Sequence, residues 1–176
     1  MRFGDFLKAT VLLSAASATL LAALTVIGTS QELNETAAYV CVAWWALATA
    51  IGIAMGSRRE ATSAIAGLLA GARHQHSLPD LQPGRTIVNR LWPLLLCTLG
   101  AAALSVIAPQ IAGIAAGFAI IWSLAWRRQE AAVAAIEERD GVRFYVDRTS
   151  PLRAIRLIRT PGFGGDFLVT RAQGSS

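Results

Sequence analysis

Apolar and polar positions follow one another along this chain in long blocks rather than residue by residue. No charged side chain falls between Lys8 and Glu32, none between Glu35 and Arg58, and none from Leu91 to Trp126. A helix needs about 20 apolar residues to cross the hydrocarbon core of a bilayer, so the first two blocks each predict one span. The third is too long for a single straight span. Ala108-Pro109-Gln110 interrupts it, and a proline without an N–H favours a break there. The block therefore predicts a hairpin of helices at about 89–107 and 110–126, with Trp92 and Trp122/Trp126 anchoring the ends at the interface. A cleaved leader is the rival reading of the first block, with Arg2 and Lys8 as its basic start and Ala16-Ser17-Ala18 as a cleavage site. The apolar stretch ahead of that site is too short, which favours a helix.

The expected fold class is thus an all-α integral membrane protein whose four transmembrane helices form two hairpins. After the last span, "WRRQEAAVAAIEERDG" holds strong helix formers and no breaker before Gly141. This predicts that the last helix extends to about Asp140, with Gly141 as its left-handed terminator. The segment after the second span begins alike. With Glu60 set against Glu130, Ala61 meets Ala131, Gly71 meets Gly141 and Arg73 meets Arg143 without a gap, and each copy follows an arginine pair. The pattern suggests a duplicated unit whose halves share one orientation about an axis along the membrane normal. The organisation read from the chain is a first hairpin over 1–56, a loop with a short amphipathic helix over 57–88, a second hairpin over 89–126, a helix extension over 127–140 and a basic tail over 141–176.

Composition agrees: 54% of residues are hydrophobic and 15% charged, the balance of a membrane protein. The net charge is +5, and Lys8 is the single lysine. The arginine and alanine bias points to a bacterial source. Arg58, Arg59, Arg73, Arg85 and Arg90 lie in the middle loop, and the remaining arginines after the first crossing follow the last span. The turns at 29–36 and near Pro109 carry no basic residue. By the positive-inside rule both termini and the middle loop are expected on the cytoplasmic side of the inner membrane. Asn34-Glu35-Thr36 matches a glycosylation sequon by chance in that setting. Cys41 and Cys97 lie in apolar runs and read as buried, inert thiols rather than a disulfide.

Candidate chemistry is sparse. Gly52/Gly56 and Gly113/Gly117 are GxxxG pairs expected to pack helices closely, within the bundle or across a dimer. His74-Gln75-His76 lacks the further ligands that zinc needs. No nucleophile–base arrangement or phosphate loop is present, so neither enzymatic activity nor a cofactor is expected. The apolar blocks hold no ionisable residue of the kind that proton-coupled transport relies on. In the tail, Val142, Phe144 and Val146 alternate with Arg143 and Tyr145 at a strand period. Farther on, Ser150, Pro151 and Pro161-Gly162 bracket a short helix, with Arg153, Arg156 and Arg159 opposite Leu152, Ile155 and Ile158. Such a helix would lie on the membrane surface; an extended segment adding a strand to a partner's sheet is the alternative.

These readings define an expected function: a small accessory or anchor protein that docks a protein partner or anionic lipid through its basic tail. The residues expected at that contact are Arg143, Arg148, Arg153, Ile155, Arg156, Ile158 and Arg159. The other reading is an oligomeric transporter or channel subunit built from two parallel hairpins. The partners expected are membrane lipids and a protein partner or further copies of the chain, with no nucleic acid, since stacking aromatics are missing from the tail.

Overall fold

The computed structural model describes residues 1–31, 35–57, 63–74, 83–146 and 155–161. Helix α1 (Phe3–Gln31) starts well before the first apolar block. At 1.5 Å per residue it is about 44 Å long, against a hydrocarbon core of about 30 Å. Its first turns therefore reach beyond the apolar slab. Helix α2 (Glu35–Gly56) returns, and a short helix α3 (Ser63–Ala70) leads to a two-residue strand β1 (Arg73–His74). Helix α4 (Pro83–Leu104) also starts earlier than the apolar pattern indicated, so Arg85 belongs to it as well as Arg90. Pro109 occupies the first turn of α5 (Pro109–Trp126), a position where its missing N–H costs no helical bond. Among the described residues, four helices are long and apolar enough to cross a membrane.

The last span runs on to Asp140 as expected, with a two-residue turn at Arg127-Arg128, both still in right-handed helical conformation, between α5 and α6 (Gln129–Asp140). Arg128 Nη1 donates to the Ser57 carbonyl at 3.1 Å, just beyond α2, where carbonyls lack helical partners. Gly141 ends α6 as foreseen, at φ 62°, and its N–H donates to the Glu137 carbonyl. That left-handed turn releases strand β2 (Val142–Val146).

Packing centres on α5. Its buried residues are Pro109, Ala112, Gly113, Ala116 and Gly117, a single helical face made of small side chains. Helix α1 runs antiparallel to it, with Gly28 beside Pro109 and Thr25 beside Gly113. Helix α2 runs parallel to it, with Cys41 beside Gly113, Trp44 over Gly117, and Gly52 and Gly56 against Leu124. All four glycines of the two spanning GxxxG pairs thus lie along the α2–α5 seam inside a single chain, each against a larger residue of the other helix. In lipid, apolar side chains gain nothing by leaving an apolar solvent, and close backbone approach supplies the attraction instead. Two indoles add directed bonds: Trp44 Nε1 donates to the Ile114 carbonyl at 3.1 Å and Trp45 Nε1 to the Gly113 carbonyl at 2.8 Å.

The facing side of α1 is polar yet satisfied. Ser14, Thr25 and Thr29 are buried, and each donates its hydroxyl to the carbonyl four residues back at 2.8 Å. Helix α4 is held more loosely. It meets α1 and α5, with Thr98 and Ser17 hydroxyls 3.1 Å apart, while α2 and α4 scarcely touch. The element order α1–α2–α3–β1 matches α4–α5–α6–β2, as the internal alignment suggested. The packing is not symmetric, because the tight α1–α5 seam has no counterpart between α4 and α2.

The tail corrects the all-α expectation. Residues 155–161 do not form a helix; Leu157–Pro161 is strand β3, the centre of a three-stranded sheet in the order β1-β3-β2. It runs parallel to β1 and antiparallel to β2. The strands that follow the two copies of the repeated segment therefore flank β3 from opposite sides and in opposite directions. A twofold axis through β3, perpendicular to the sheet, would produce that arrangement.

Gly117→Ala is expected to lower the thermal midpoint of the detergent-solubilised protein, because the new methyl group meets the Trp44 indole. Overpacking of this kind costs about 1–3 kcal/mol. Gly100→Ala, where nothing lies within 4 Å of the added carbon, should leave the midpoint unchanged or raise it. Equal behaviour of the two variants would remove the α2–α5 crossing as a source of stability.

Candidate functional site

The sheet collects segments that are remote in sequence at one end of the bundle. Antiparallel pairing puts Val146 opposite Leu157, Phe144 opposite Arg159 and Arg143 opposite Thr160. Directly opposed residues share a face. One face of the sheet thus carries Val142, Phe144, Val146 and Leu157. These pack with Met1, Phe3, Phe6, Leu7, Ile65, Leu69, Leu91 and Val133 into one buried apolar cluster. The first turns of α1, beyond the spanning block, supply much of this cluster. The start of the chain also extends the sheet: Arg2 bridges Tyr145, and Val146 N donates to the Met1 carbonyl at 3.0 Å. Burial pushes the Met1 α-amino group below its ordinary range, with Asp5 drawing it partly back.

Side chains tie the sheet to α6 and α6 to α1. Glu137 Oε1 accepts from Phe144 N at 2.8 Å, fixing β2 to the last turns of α6. Lys8 Nζ lies 2.7 Å from Glu130 Oε1. That pair is largely exposed and adds little stability, but it sets the position of α6 against α1.

The other face carries Arg143, Tyr145, Ile158 and Thr160. Arg2 joins it through its pairing with Tyr145, and Arg156, two residues before Ile158, has the same parity. Tyr145, Ile158 and Thr160 are buried, whereas Arg2, Arg143 and Arg156 are exposed. The residues expected at the tail contact therefore separate. Arg143 and Arg156 face outward together. Ile158 is buried within the sheet, Ile155 packs against the apolar cluster, and Arg159 is half-buried on the face turned to the bundle. Arg148 and Arg153 lie outside the described residues. The apolar side chains thus serve the chain's own fold, and the cationic ones form its surface.

Arg2 was not singled out by the pattern, since near the first span it reads as an ordinary basic flank. Only the bridge to Tyr145 places it with Arg143. The apolar triplet Phe3, Phe6 and Leu7, at helical spacing ahead of the charge-free block, is a sequence signal for a helix that starts early, and the block-by-block reading passed over it.

Phe144→Ala should loosen the sheet from the bundle at a cost of about 3–5 kcal/mol, the usual range for truncating a buried phenylalanine. Arg143→Gln, one residue away and exposed, should stay within about 0.5 kcal/mol. Trypsin digestion in detergent is the readout: cleavage after Arg139 and Arg143 should quicken for Phe144→Ala, with helical circular dichroism largely retained. If Phe144→Ala is digested no faster than the parent chain, the sheet is not held by this cluster.

Comparison of the chain with protein-family models, with curated proteins and with solved structures finds no match in any of the three.

Proposed function

We propose that the chain is a non-enzymatic integral membrane protein of the bacterial inner membrane, with both ends cytoplasmic, that acts as an anchor or accessory subunit. Its docking surface is the outward face of the sheet, and its partner is a protein with an acidic surface. One observation carries this reading. The sheet buries its apolar face on the bundle and leaves Arg2, Arg143 and Arg156 exposed on the other. Arginines on the far side of a sheet that rests on the bundle are turned away from the leaflet beneath it, which favours a protein over lipid headgroups. Arginine suits such a role, because its planar fork engages carboxylates in pairs.

The rival reading, a transporter or channel subunit, would call for a polar route along the helices. The α1–α5 seam has Ala112 and Ala116 fully buried and its hydroxyls bonded within α1, which leaves no such route along that seam.

Two measurements test the proposal. For the orientation, single cysteines replace Gln110 and Ser57 in a background lacking Cys41 and Cys97. A membrane-impermeant thiol reagent should label Gln110→Cys in intact cells and Ser57→Cys only after lysis; the reverse pattern inverts the topology. For the docking surface, Arg2, Arg143 and Arg156 are changed together to glutamate in the full-length chain. Retention of co-purifying proteins should fall at least about tenfold at low salt, and retention by the parent chain should fall as salt rises and screens the contact. Unchanged retention with the triple variant would mean that this face is only a solvated one.

A further inference from the structure

The two most exposed large apolar residues among those described, Val106 at 87% and Ile107 at 81%, stand side by side in the turn between α4 and α5. A turn that faces water is normally built from Gly, Asn, Asp or Pro with polar neighbours. This one reads Ser105-Val106-Ile107-Ala108 and carries no charge. Its polar groups are turned inward upon themselves. Every backbone N–H from Ser105 to Ala108 donates to a carbonyl three or four residues back, and Pro109, which follows, has none to place. The Ser105 hydroxyl donates to the Ala102 carbonyl at 2.6 Å. Internal satisfaction of the backbone is what a segment in lipid requires and a loop in water does not.

The register of the helices gives the depth of this turn. Arg128 reaches the Ser57 carbonyl, so the ends of α5 and α2 are level there, and the stacked rings of Trp122 and Trp126 mark that boundary of the slab. Helix α5 has 18 residues, about 27 Å at 1.5 Å per residue. A hydrocarbon core of about 30 Å that begins at the arginine pair therefore ends at the α4–α5 turn. The first hairpin reaches farther. Gly28 lies beside Pro109, yet α1 continues to Gln31. With Cys41 beside Gly113 on the parallel α2, Ala37 is level with Pro109, and Thr36 and Glu35 stand beyond it. By the same register Tyr39, 73% exposed, is level with Ile111. An aromatic ring so placed marks the second membrane–water boundary, and Val106 and Ile107 lie close to it.

We propose that the α4–α5 turn is a lipid-inserted anchor: Val106 and Ile107 lie in the interfacial region of the leaflet opposite the sheet, among acyl chain ends and glycerol backbones, while the start of α2 stands in water. The partner of this surface is the bilayer itself. A protein-docking turn would offer polar groups around its apolar centre, and this one offers none that its own backbone does not already use. The anchor serves the helix that protein contacts hold least. Helix α4 scarcely touches α2, and cavities of about 300 and 470 Å³ lie along it. Leu91 fastens its sheet end in the apolar cluster, and the inserted turn fastens the other. Gln110 faces away from this surface, toward a separate cavity that it shares with Thr36. The inference rests on the reading of the four helices as membrane-spanning, and not on which side is cytoplasmic.

The test uses the full-length protein in phosphatidylcholine nanodiscs, where reagents reach both faces. Val106→Cys, Ile107→Cys and Glu35→Cys are made singly in the background lacking Cys41 and Cys97, and each thiol carries a bimane fluorophore. Two quenchers are compared: phosphatidylcholine with a doxyl group near the carboxyl end of one acyl chain, and aqueous iodide. The ratio of doxyl to iodide quenching should be at least about fivefold higher at Val106 and Ile107 than at Glu35, as for apolar side chains held at the headgroup and acyl boundary. An equal ratio at the three positions places the turn in water, and protection from both quenchers places it against protein; either result overturns the proposal. Leu99→Cys, on an exposed face midway along α4, separates this failure from a deeper one. It should be quenched by the doxyl lipid whatever the turn does, and its quenching by iodide instead would remove the spanning reading itself. Docking at Arg2, Arg143 and Arg156 is read by partner retention and is untouched by these outcomes.

Discussion

Close approach of helix backbones, rather than burial of large side chains, is the interaction on which the rest of this molecule depends. In a bilayer a leucine gains nothing by leaving lipid for protein. The chain accordingly turns its large residues outward: Val40, Leu96, Leu99 and Phe118 are all more than half exposed. Its interior is glycine, alanine, serine and threonine. The face Pro109–Ala112–Gly113–Ala116–Gly117 lets α5 touch α1 on one side and α2 on the other. A bulky residue on this face would part both contacts together.

Beyond the apolar slab the rule reverses, and the chain builds a water-type core. Phe3, Phe6, Leu7, Ile65, Val133, Phe144 and Leu157 gather into one cluster, assembled from the start, middle and end of the sequence. No single segment there has enough apolar surface to fold alone. The sheet solves this by using β3 as a central strand between β1 and β2. The tail is thereby a structural part of the base of the bundle, which explains why a chain otherwise made for lipid keeps a turn-rich basic end. Among the described residues of its strands' other face, Tyr145, Ile158 and Thr160 are buried too, and the exposed ones are Arg143 and Arg156.

The spans were legible because their signal is compositional: long charge-free blocks, a proline at the interruption, and Gly141 past a run of helix formers. The strand Val142–Val146 was legible for a similar reason, since its alternation is local. The strand at 157–161 was not. Arg153, Arg156 and Arg159 repeat every three residues, which imitates a helix, and the pairing that decides the outcome comes from β1, far away in the sequence. Tertiary pairing overrides local pattern in such short segments. The same holds for Arg2, which sits where a basic flank is ordinary; only the bridge to Tyr145 gives it particular surroundings.

The unequal packing of the two halves bears on the sheet as well as on the bundle. If α4 stood against α2 as α1 stands against α5, the cavities along α4 would be closed. Instead α4 is held by α1 and α5, with the Ser17–Thr98 contact within the bundle, while its first turns reach the sheet end, where Leu91 joins the cluster beneath the strands. Helix α4 carries Leu91 into the same cluster that holds Phe144 and Leu157. The seating of α4 and the strands whose other face bears Arg143 thus share one buried core. Leu91→Ala should accordingly weaken the sheet while leaving the α1–α5–α2 crossing intact, because no residue of that crossing depends on the cluster.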